Sequence, residues 1–439
     1  MNIIFGEEIE NFKNVENTDL KLENCKKITD FLSQKNIVIY GGGAAGSTLT
    51  LALKEHGITP EFIVDRKFDV IKEVHNCKVF PPEKLKELDA QNSVVIIAIN
   101  AYVIRNFNNE TYQNIEKFLP DANVIEIGAD VTNMLNYTKC EKKLRNGEPF
   151  NIVNCLNCGA ETKCCGIYER YLKKIAKLPQ ERNITLSKKF DWFGYIMGQY
   201  CTLNCKHCCE HVPYMKNKTF AKKEQIIADC TKIAQASEFI RYIELIGGEP
   251  FLHPELAEVV KGLLEIENVG YVKIFTNGTV VPKEDMRELL KNPRVVLTFS
   301  NYMGQVDGKL ADNITQLREM LKADNIDYVF SESKMWTDWG DFHDRGRSDE
   351  ETERNAANCF CYNCHRAFNG ILYRCPHQYA GIIQGFMEYK EGEYIDLEKT
   401  PPEKMGEALE AFENLKYTEG CKRCDMPYDC PEVPAAIQL

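Results

Sequence analysis

The stretch Cys201-Thr-Leu-Asn-Cys205-Lys-His-Cys208-Cys209 follows an apolar run and sets three thiols at three-then-two spacing. Cysteines this close on one loop can surround a single metal centre, and thiolate-only ligation favours zinc or an iron–sulfur cluster over harder metals. Three ligands leave one position open. Structural zinc normally takes four protein ligands, whereas a cubane held by three cysteines keeps one iron free for something other than protein. Cys209 lies outside the pattern and reads as a plain thiol, and Cys230, on a helical stretch, reads as core.

Downstream, Ile240 to Ile246 reads as a strand ending in Gly247-Gly248-Glu249-Pro250. Val272 to Phe275 leads into Thr276-Asn277-Gly278-Thr279, and Val295 to Phe299 into Ser300-Asn301-Tyr302. Each motif alone is a turn, but here they follow one another on alternating strand and helix patterns from Lys189 to about 345, the signature of a parallel sheet covered by helices. In this order the residues resemble the radical S-adenosylmethionine (SAM) superfamily. Cys201, Cys205 and Cys208 match its CxxxCxΦC loop with His207 as the aromatic position, and Gly247 to Pro250 match its GGEP motif.

The resemblance implies a partial (β/α)6 barrel and a [4Fe–4S] cluster on the three cysteines. The open iron would chelate the amino and carboxylate groups of SAM, and an electron would cleave SAM to a 5'-deoxyadenosyl radical that removes a substrate hydrogen. It also implies that Gly247 and Gly248 let backbone approach the ligand and that Glu249, before Pro250, accepts from the SAM ammonium. Thr276, Asn277, Ser300 and Asn301 are then the polar strand ends beside the methionyl and ribose groups. An electron donor such as flavodoxin or ferredoxin is the expected redox partner.

At 439 residues and 44% apolar content the chain has room for two or three domains of an ordinary globular kind. No apolar run reaches the roughly 18 residues that span a bilayer, and no basic, apolar leader opens the chain, so no membrane and a cytoplasmic location are expected. A net charge of −11 spread along the chain argues against a large nucleic-acid surface. Nineteen cysteines in clustered spacings, in a reducing compartment, point to metal ligation rather than disulfides.

Residues 1–35 read as a polar lead-in with a short helix. Asn36 to Tyr40 then forms a short strand running into Gly41-Gly42-Gly43-Ala44-Ala45-Gly46, followed by a helical stretch, a strand at Glu61 to Val64, and Asp65. Strand, GxGxxG, helix, strand and acid are the order of a Rossmann unit. Gly41, Gly43 and Gly46 permit the tight turn, the helix N-terminus can receive a phosphate, and Asp65 can accept from a ribose hydroxyl. With the strands at Ser93 to Ile99 and Asn123 to Ile127, Asn100 and Arg105, the segment 36–137 resembles the small nucleotide-sugar-binding domain of sugar O- and N-acyltransferases. A nucleotide or nucleotide sugar is the implied ligand; a docking domain with an empty crevice is the competing reading.

The connector 138–189 carries Cys140, Cys155, Cys158, Cys164 and Cys165. Cys155, Cys158 and Cys164 or Cys165 could hold zinc or a further cluster, or the set could be reduced thiols. Beyond the barrel at 190–345, residues 346–439 form a small Cys-rich α+β extension. There Cys359-Phe-Cys361-Tyr-Asn-Cys364 precedes a strand pair turning at Asn369-Gly370 and ending near Cys375, and Cys421-Lys-Arg-Cys424 and Cys430 follow. This resembles the SPASM/twitch extensions of radical SAM enzymes, which carry auxiliary [4Fe–4S] clusters. Pro434 stands where the SPASM pattern has a further cysteine, which favours a single cluster on Cys375, Cys421, Cys424 and one of Cys359 or Cys364. A zinc ribbon is the plainer alternative.

Lys334 to Asp341 holds two of the three tryptophans. Trp336, Asp338, Trp339 and Asp341 either line a substrate pocket or pack the barrel rim. The favoured reaction is hydrogen abstraction from a carbon bearing a hydroxyl or amine of a small sugar-type substrate, with Asp338 or Asp341 taking a proton and the auxiliary cluster the electron. A maturase of a ribosomally made peptide and a non-catalytic SAM or iron–sulfur sensor are the alternatives.

Overall fold

The computed structural model of the chain describes residues 1–14, 17–99, 108–146, 151–157, 167–176, 185–300, 302–331 and 335–439. Two compact units emerge, residues 1–150 with 158–168, and residues 151–157 with 169–439.

In the first unit short β-branched runs make the strands β1 (Asn2–Ile3), β2 (Asn36–Tyr40), β3 (Phe62–Val64), β4 (Glu73–Val74), β5 (Cys77–Phe80), β6 (Ser93–Ile97) and β7 (Asn123–Ile125). Their order in the sheet is β1-β7-β6-β2-β3-β5-β4, with every pair parallel except the β4–β5 edge. Strands of such a sheet are buried on both faces, which is why Val94, Val95 and Ile96 form an unbroken apolar run at 0% exposure. The chain turns from β2 to β3 on one side and to β6 on the other, so the glycine turn after Tyr40 sits at the topological switch point. Residues 1–35, read as a polar lead-in with a short helix, join this unit. Asn2–Ile3 pairs with Asn123–Val124 as an edge strand, and the helices Gly6–Asn14 and Thr18–Leu32 bury Phe12, Cys25, Ile28 and Leu32 in the same unit.

The second unit contains β8 (Trp192–Ile196), β9 (Ile240–Ile246), β10 (Val269–Thr276), β11 (Val295–Ser300), β12 (Val329–Ser331), β13 (Met335–Thr337), β14 (Arg366–Phe368), β15 (Ile371–Tyr373), β16 (Tyr394–Asp396) and β17 (Glu432–Pro434). The main sheet runs β12-β11-β10-β9-β8-β14-β15-β16. The first six are parallel neighbours and form the partial barrel; β15 and β16 add antiparallel strands at one end. Helices cover it by the usual periodicity: in Leu256–Leu264, Leu256, Val259, Val260 and Leu263 recur every three or four residues and are buried. Each such side chain contributes roughly 1.5–3 kcal/mol on burial.

The expected boundary at 345/346 does not separate two sheets. Arg366 and Ala367 of β14 register with Gly194 and Tyr195 of β8, so the Cys-rich segment extends the barrel sheet itself. Its hairpin turns at Asn369 (φ 44°) and Gly370 (φ 81°), the left-handed pair that an Asn-Gly turn supplies. A separate ribbon pairs β13 with β17, setting Trp336 opposite Val433.

Candidate functional site

The three-cysteine loop follows β8, and the motifs 247–250, 277–279 and 302 follow β9, β10 and β11, so all four lie at the C-terminal ends of adjacent parallel strands. That end is where loops from several strands converge. The glycine motif crosses the chain leading into Cys201 at close range. Gly248 N donates to Gly198 O and Glu249 N to Tyr200 O, both at 2.8 Å. A Cβ on Gly248 would lie 1.9 Å from Tyr200 O, and Gly247 adopts φ +126°. Only glycine lets the two backbones meet this way.

Donors point at the sulfurs. Leu203 N and Asn277 Nδ2 each donate to Cys201 Sγ at 3.4 Å, and Gln438 Nε2 donates to Cys205 Sγ at 3.3 Å. Burial pushes the free thiols up, Cys201 to about 11 and Cys208 to about 12. Metal must therefore displace protons to bind here.

A cavity of about 490 Å³ opens over the loop. Cys201, Cys205, His207 and Cys208 border it, with Gly247, Gly248, Asn277, Ser300, Tyr302, Trp336 and Trp339. The tryptophans thus line a pocket, as one of the two sequence readings has it. Their neighbouring acids line an adjoining hollow of about 360 Å³ that also touches His207, Cys208 and Trp339. Asp338 Oδ2 lies 3.0 Å from His207 Nδ1 and borders that hollow. Asp341, whose side chain is 62% exposed, is tied to His343 and Arg345. The His343 backbone N–H, its imidazole and Arg345 hold the Asp341 carboxyl well below the usual carboxylate range. Neither acid borders the main cavity itself; both lie in the hollow beside it.

Glu249 is already hydrogen-bonded. Its Oε1 accepts from Thr276 Oγ1 at 2.8 Å and Phe251 N at 3.1 Å, and its Oε2 from Asn277 N at 2.9 Å. Three of its acceptor positions bind the β9 and β10 ends together as a brace, one position on Oε2 stays open, and the side chain does not border the main cavity. Burial raises its carboxyl to about 7 against these three donors. Thr276 belongs to the same brace, and Pro250 is buried at the start of a short 3-10 turn. Asn301 lies outside the described residues.

Residues 195–301 match the family model described as the radical SAM superfamily. This stretch is a radical SAM domain. Beyond it the similarities are local. GTP 3',8-cyclase of Limosilactobacillus fermentum is 28% identical over 96 residues, 21% of this chain and 28% of that protein. The Microcystis aeruginosa GTP 3',8-cyclase is 24% identical over 105 residues, 23% of this chain and 31% of that protein. The chain thus spans about 28–31% of the length of these relatives. Among solved structures, BtrN in complex with AdoMet and 2-DOIA aligns with a TM-score of 0.36 at 14% identity, over 55% of this chain and 94% of that one. SuiB of Streptococcus suis bound to S-adenosylmethionine aligns at 0.24 and 14%, over 51% and 43%.

The cofactors of a radical SAM domain are a [4Fe–4S] cluster and SAM. The residues here fit the cluster: three thiols, two of them met by N–H donors that favour the thiolate, border one cavity and leave a ligand position to a non-protein group. Among the described residues no three His, Cys, Asp or Glu groups are drawn together tightly enough for one metal ion. Each thiolate of a cubane binds its own iron, so its ligands stand apart.

The later cysteines divide into two sets on either side of the turn 359–364. The thiol of Cys375, at the N-cap of the helix Pro376–Ile383, feels Cys421, Cys424 and Cys359 as electrostatic neighbours. Burial raises Cys359 to about 11 and Cys424 to about 12, and Cys421 likewise upward, with buried Arg374 pulling the other way on Cys421. Of the two candidates for the fourth position, Cys359 keeps this company. Cys364 does not; Cys361 donates its S–H to it, and both border the main cavity.

Sequence reasoning missed several cavity residues. Cys209, dismissed as a plain thiol, opens onto the cavity. Glu210, 2% exposed, pairs its Oε1 with Arg366 Nε at 2.6 Å beneath it. The adjacent Cys208-Cys209-Glu210 and the Arg366 beginning a strand were available signals, but their pairing across 156 positions was not.

In the first unit the glycine turn has the expected geometry. Gly41 takes φ +116°, and a Cβ on Gly46 would lie 1.9 Å from Gly41 O; Gly43 caps the helix Ala44–Glu55. Asp65 is turned onto this turn: Oδ2 accepts from Gly42 N at 2.6 Å and Oδ1 from Lys67 N at 2.7 Å. A ribose would have to share those oxygens. Asn100, Arg105, Cys158, Cys164 and Cys165 lie outside the described residues; Cys155 sits in the helix Ile152–Asn157. No described helix is long and apolar enough to cross a membrane.

Proposed function

We propose that the chain is a radical SAM enzyme that abstracts hydrogen from a carbon bearing a hydroxyl or amine on a sugar, amino sugar or nucleotide-linked sugar. When bound, the cluster and SAM supply a 5'-deoxyadenosyl radical that takes that hydrogen. The chain's own residues shape where it happens. Cys201, Cys205 and Cys208 hold the cluster, the Gly247–Gly248 backbone brings the strand end close to it, and Asn277 and Ser300 offer polar edges to SAM. Trp336 and Trp339 wall the cavity and exclude water, which protects a reactive intermediate from side reactions.

In this reading Cys359, Cys375, Cys421 and Cys424 hold an auxiliary [4Fe–4S] cluster that takes the electron left by substrate oxidation. The observation that carries it is the turn 359–364, which borders the substrate cavity through Cys361 and Cys364 while presenting Cys359 to the other three thiols. A flavodoxin or ferredoxin supplies the reducing electron, and the enzyme works in the cytoplasm. The first unit holds a nucleotide or nucleotide sugar at the Gly41–Gly46 turn.

The test is deuterium transfer. Reconstituted protein, dithionite and SAM are incubated with perdeuterated sugars, amino sugars and UDP-sugars, and 5'-deoxyadenosine is weighed by mass spectrometry. Deuterium from one of these classes is expected. Transfer from deuterated peptide alone would replace the sugar reading with peptide maturation.

A further inference from the structure

Residues 432–439 do more than finish the fold; they are stitched to the loop that carries the cluster ligands. Lys206 N donates to Ile437 O at 2.7 Å, and Leu439 N to Asn204 O at 2.9 Å. Cys205 and Gln438 form an isolated antiparallel bridge. Ala436, 1% exposed, packs with Leu203 and Cys205, with Trp336 against the same group. Just before this, β17 pairs with β13, the strand that carries Trp336 into the cavity wall. One segment therefore grips both the cluster loop and the substrate wall.

Within this strap Gln438 has the chemistry. Its Oε1 accepts from Asn204 N at 2.7 Å, which fixes the amide plane. Its Nε2 then donates to Cys205 Sγ at 3.3 Å and to Ala436 O at 2.6 Å. The order of O and N is forced by these partners, since Asn204 N can only donate and Ala436 O can only accept.

We propose that Gln438 is a positioning residue for the cluster, its amide N–H setting the orientation and electron density of the Cys205 thiolate. The proposal rests on Cys201, Cys205 and Cys208 being the cluster ligands. Hydrogen bonds to ligand sulfurs stabilise the added electron and raise the reduction potential. The strap also covers Cys205 from one side, which slows attack on the ligand from solvent.

Gln438→Glu is the sharpest variant, because it keeps an oxygen for Asn204 N and replaces the donor facing sulfur with an acceptor. Gln438→Leu removes all three side-chain bonds. The wild-type holoenzyme and both variants are titrated by EPR-monitored redox poise, with the SAM-responsive signal followed. Both variants are expected to shift the reduced-to-oxidised ratio at fixed potential about tenfold toward oxidised, equivalent to about 59 mV for one electron.

An unchanged potential in both variants would overturn the proposal. Selective loss of the SAM-responsive signal with auxiliary iron retained would support it; loss of all iron together would count against it as a general folding defect. Failure of the wild-type protein to form a SAM-responsive cluster would instead overturn the ligand assignment beneath it.

Discussion

Gly248→Ala should damage the site more than any single surface change, and the structure gives the size of the effect. The added Cβ would sit 1.9 Å from Tyr200 O and 2.5 Å from Tyr200 C. Relief needs a shift of more than 1 Å (about 1.3 Å for an ordinary contact) in a peptide that cannot move freely, since Tyr200 O accepts from Glu249 N and Gly198 O from Gly248 N. Overpacking costs about 1–3 kcal/mol, and each lost backbone bond about 1 kcal/mol. The sum is roughly 2–5 kcal/mol. All three tryptophans, Trp192, Trp336 and Trp339, belong to the second unit, so their fluorescence in a urea titration of metal-free protein reports that unit alone. Gly262→Ala is the control. Its Cβ meets only side-chain atoms of Ile227, Cδ1 at 2.5 Å and Cγ1 at 3.0 Å, so one side chain must turn aside while no backbone moves, and losing a glycine from the helix offsets this by about 1 kcal/mol. A Gly248→Ala midpoint equivalent to less than about 0.5 kcal/mol of destabilisation would refute the close-crossing argument.

Three further outcomes follow from the same geometry. Glu249→Gln should lower stability by about 2 kcal/mol or more, because a carboxylate with three donors is replaced by a group with one acceptor; unchanged stability with lost SAM affinity would restore it as an ammonium acceptor. Arg366→Met should cost about 3–5 kcal/mol by leaving buried Glu210 unpaired, and Glu210→Gln in the same chain should recover part of it in the urea midpoint. Burial holds His211 at about 4 and His377 at about 3, both below the ordinary 6.5. A base with a depressed folded pKa contributes stability that is present above the unfolded value and lost as pH falls toward the folded one. Between pH 6.5 and 4.5 each should therefore remove about 2–3 kcal/mol, and the midpoint of His377→Gln should fall less steeply over that window than that of wild type.

The fold and the ligand loop were legible where the signal is local. Three thiols on one loop, a glycine pair after a strand, and Asn369-Gly370 between two short apolar runs each state their geometry within a few residues. What escaped is set by distant pairing. That Glu249 also braces the fold was invisible, because its partners Thr276 and Asn277 come from the next strand end and meet its oxygens only in the folded chain. Asp338 and Asp341 sat beside tryptophans that do line the cavity, but the strand and turn there set the acids in the adjoining hollow, beside His207, His343 and Arg345. Residues 1–35 looked polar because a strand of two residues is too short to show a period and the helix Gly6–Asn14 has only Ile9 and Phe12 as large apolar residues. The strap at Gln438 had no local signature at all, since its partner loop lies more than 200 positions earlier.

The most direct test of the account is iron and sulfide content with a Mössbauer spectrum of anaerobically reconstituted protein, run beside an assay for 5'-deoxyadenosine after dithionite reduction. The account predicts about eight irons per chain, in one SAM-responsive and one fully thiolate-ligated cluster. It also predicts 5'-deoxyadenosine from the wild-type protein and none when Cys201, Cys205 and Cys208 are all alanine. About four irons with stoichiometric zinc would make the later cysteines a structural site and remove the electron acceptor; 5'-deoxyadenosine formed without the three cysteines would contradict the account at its centre.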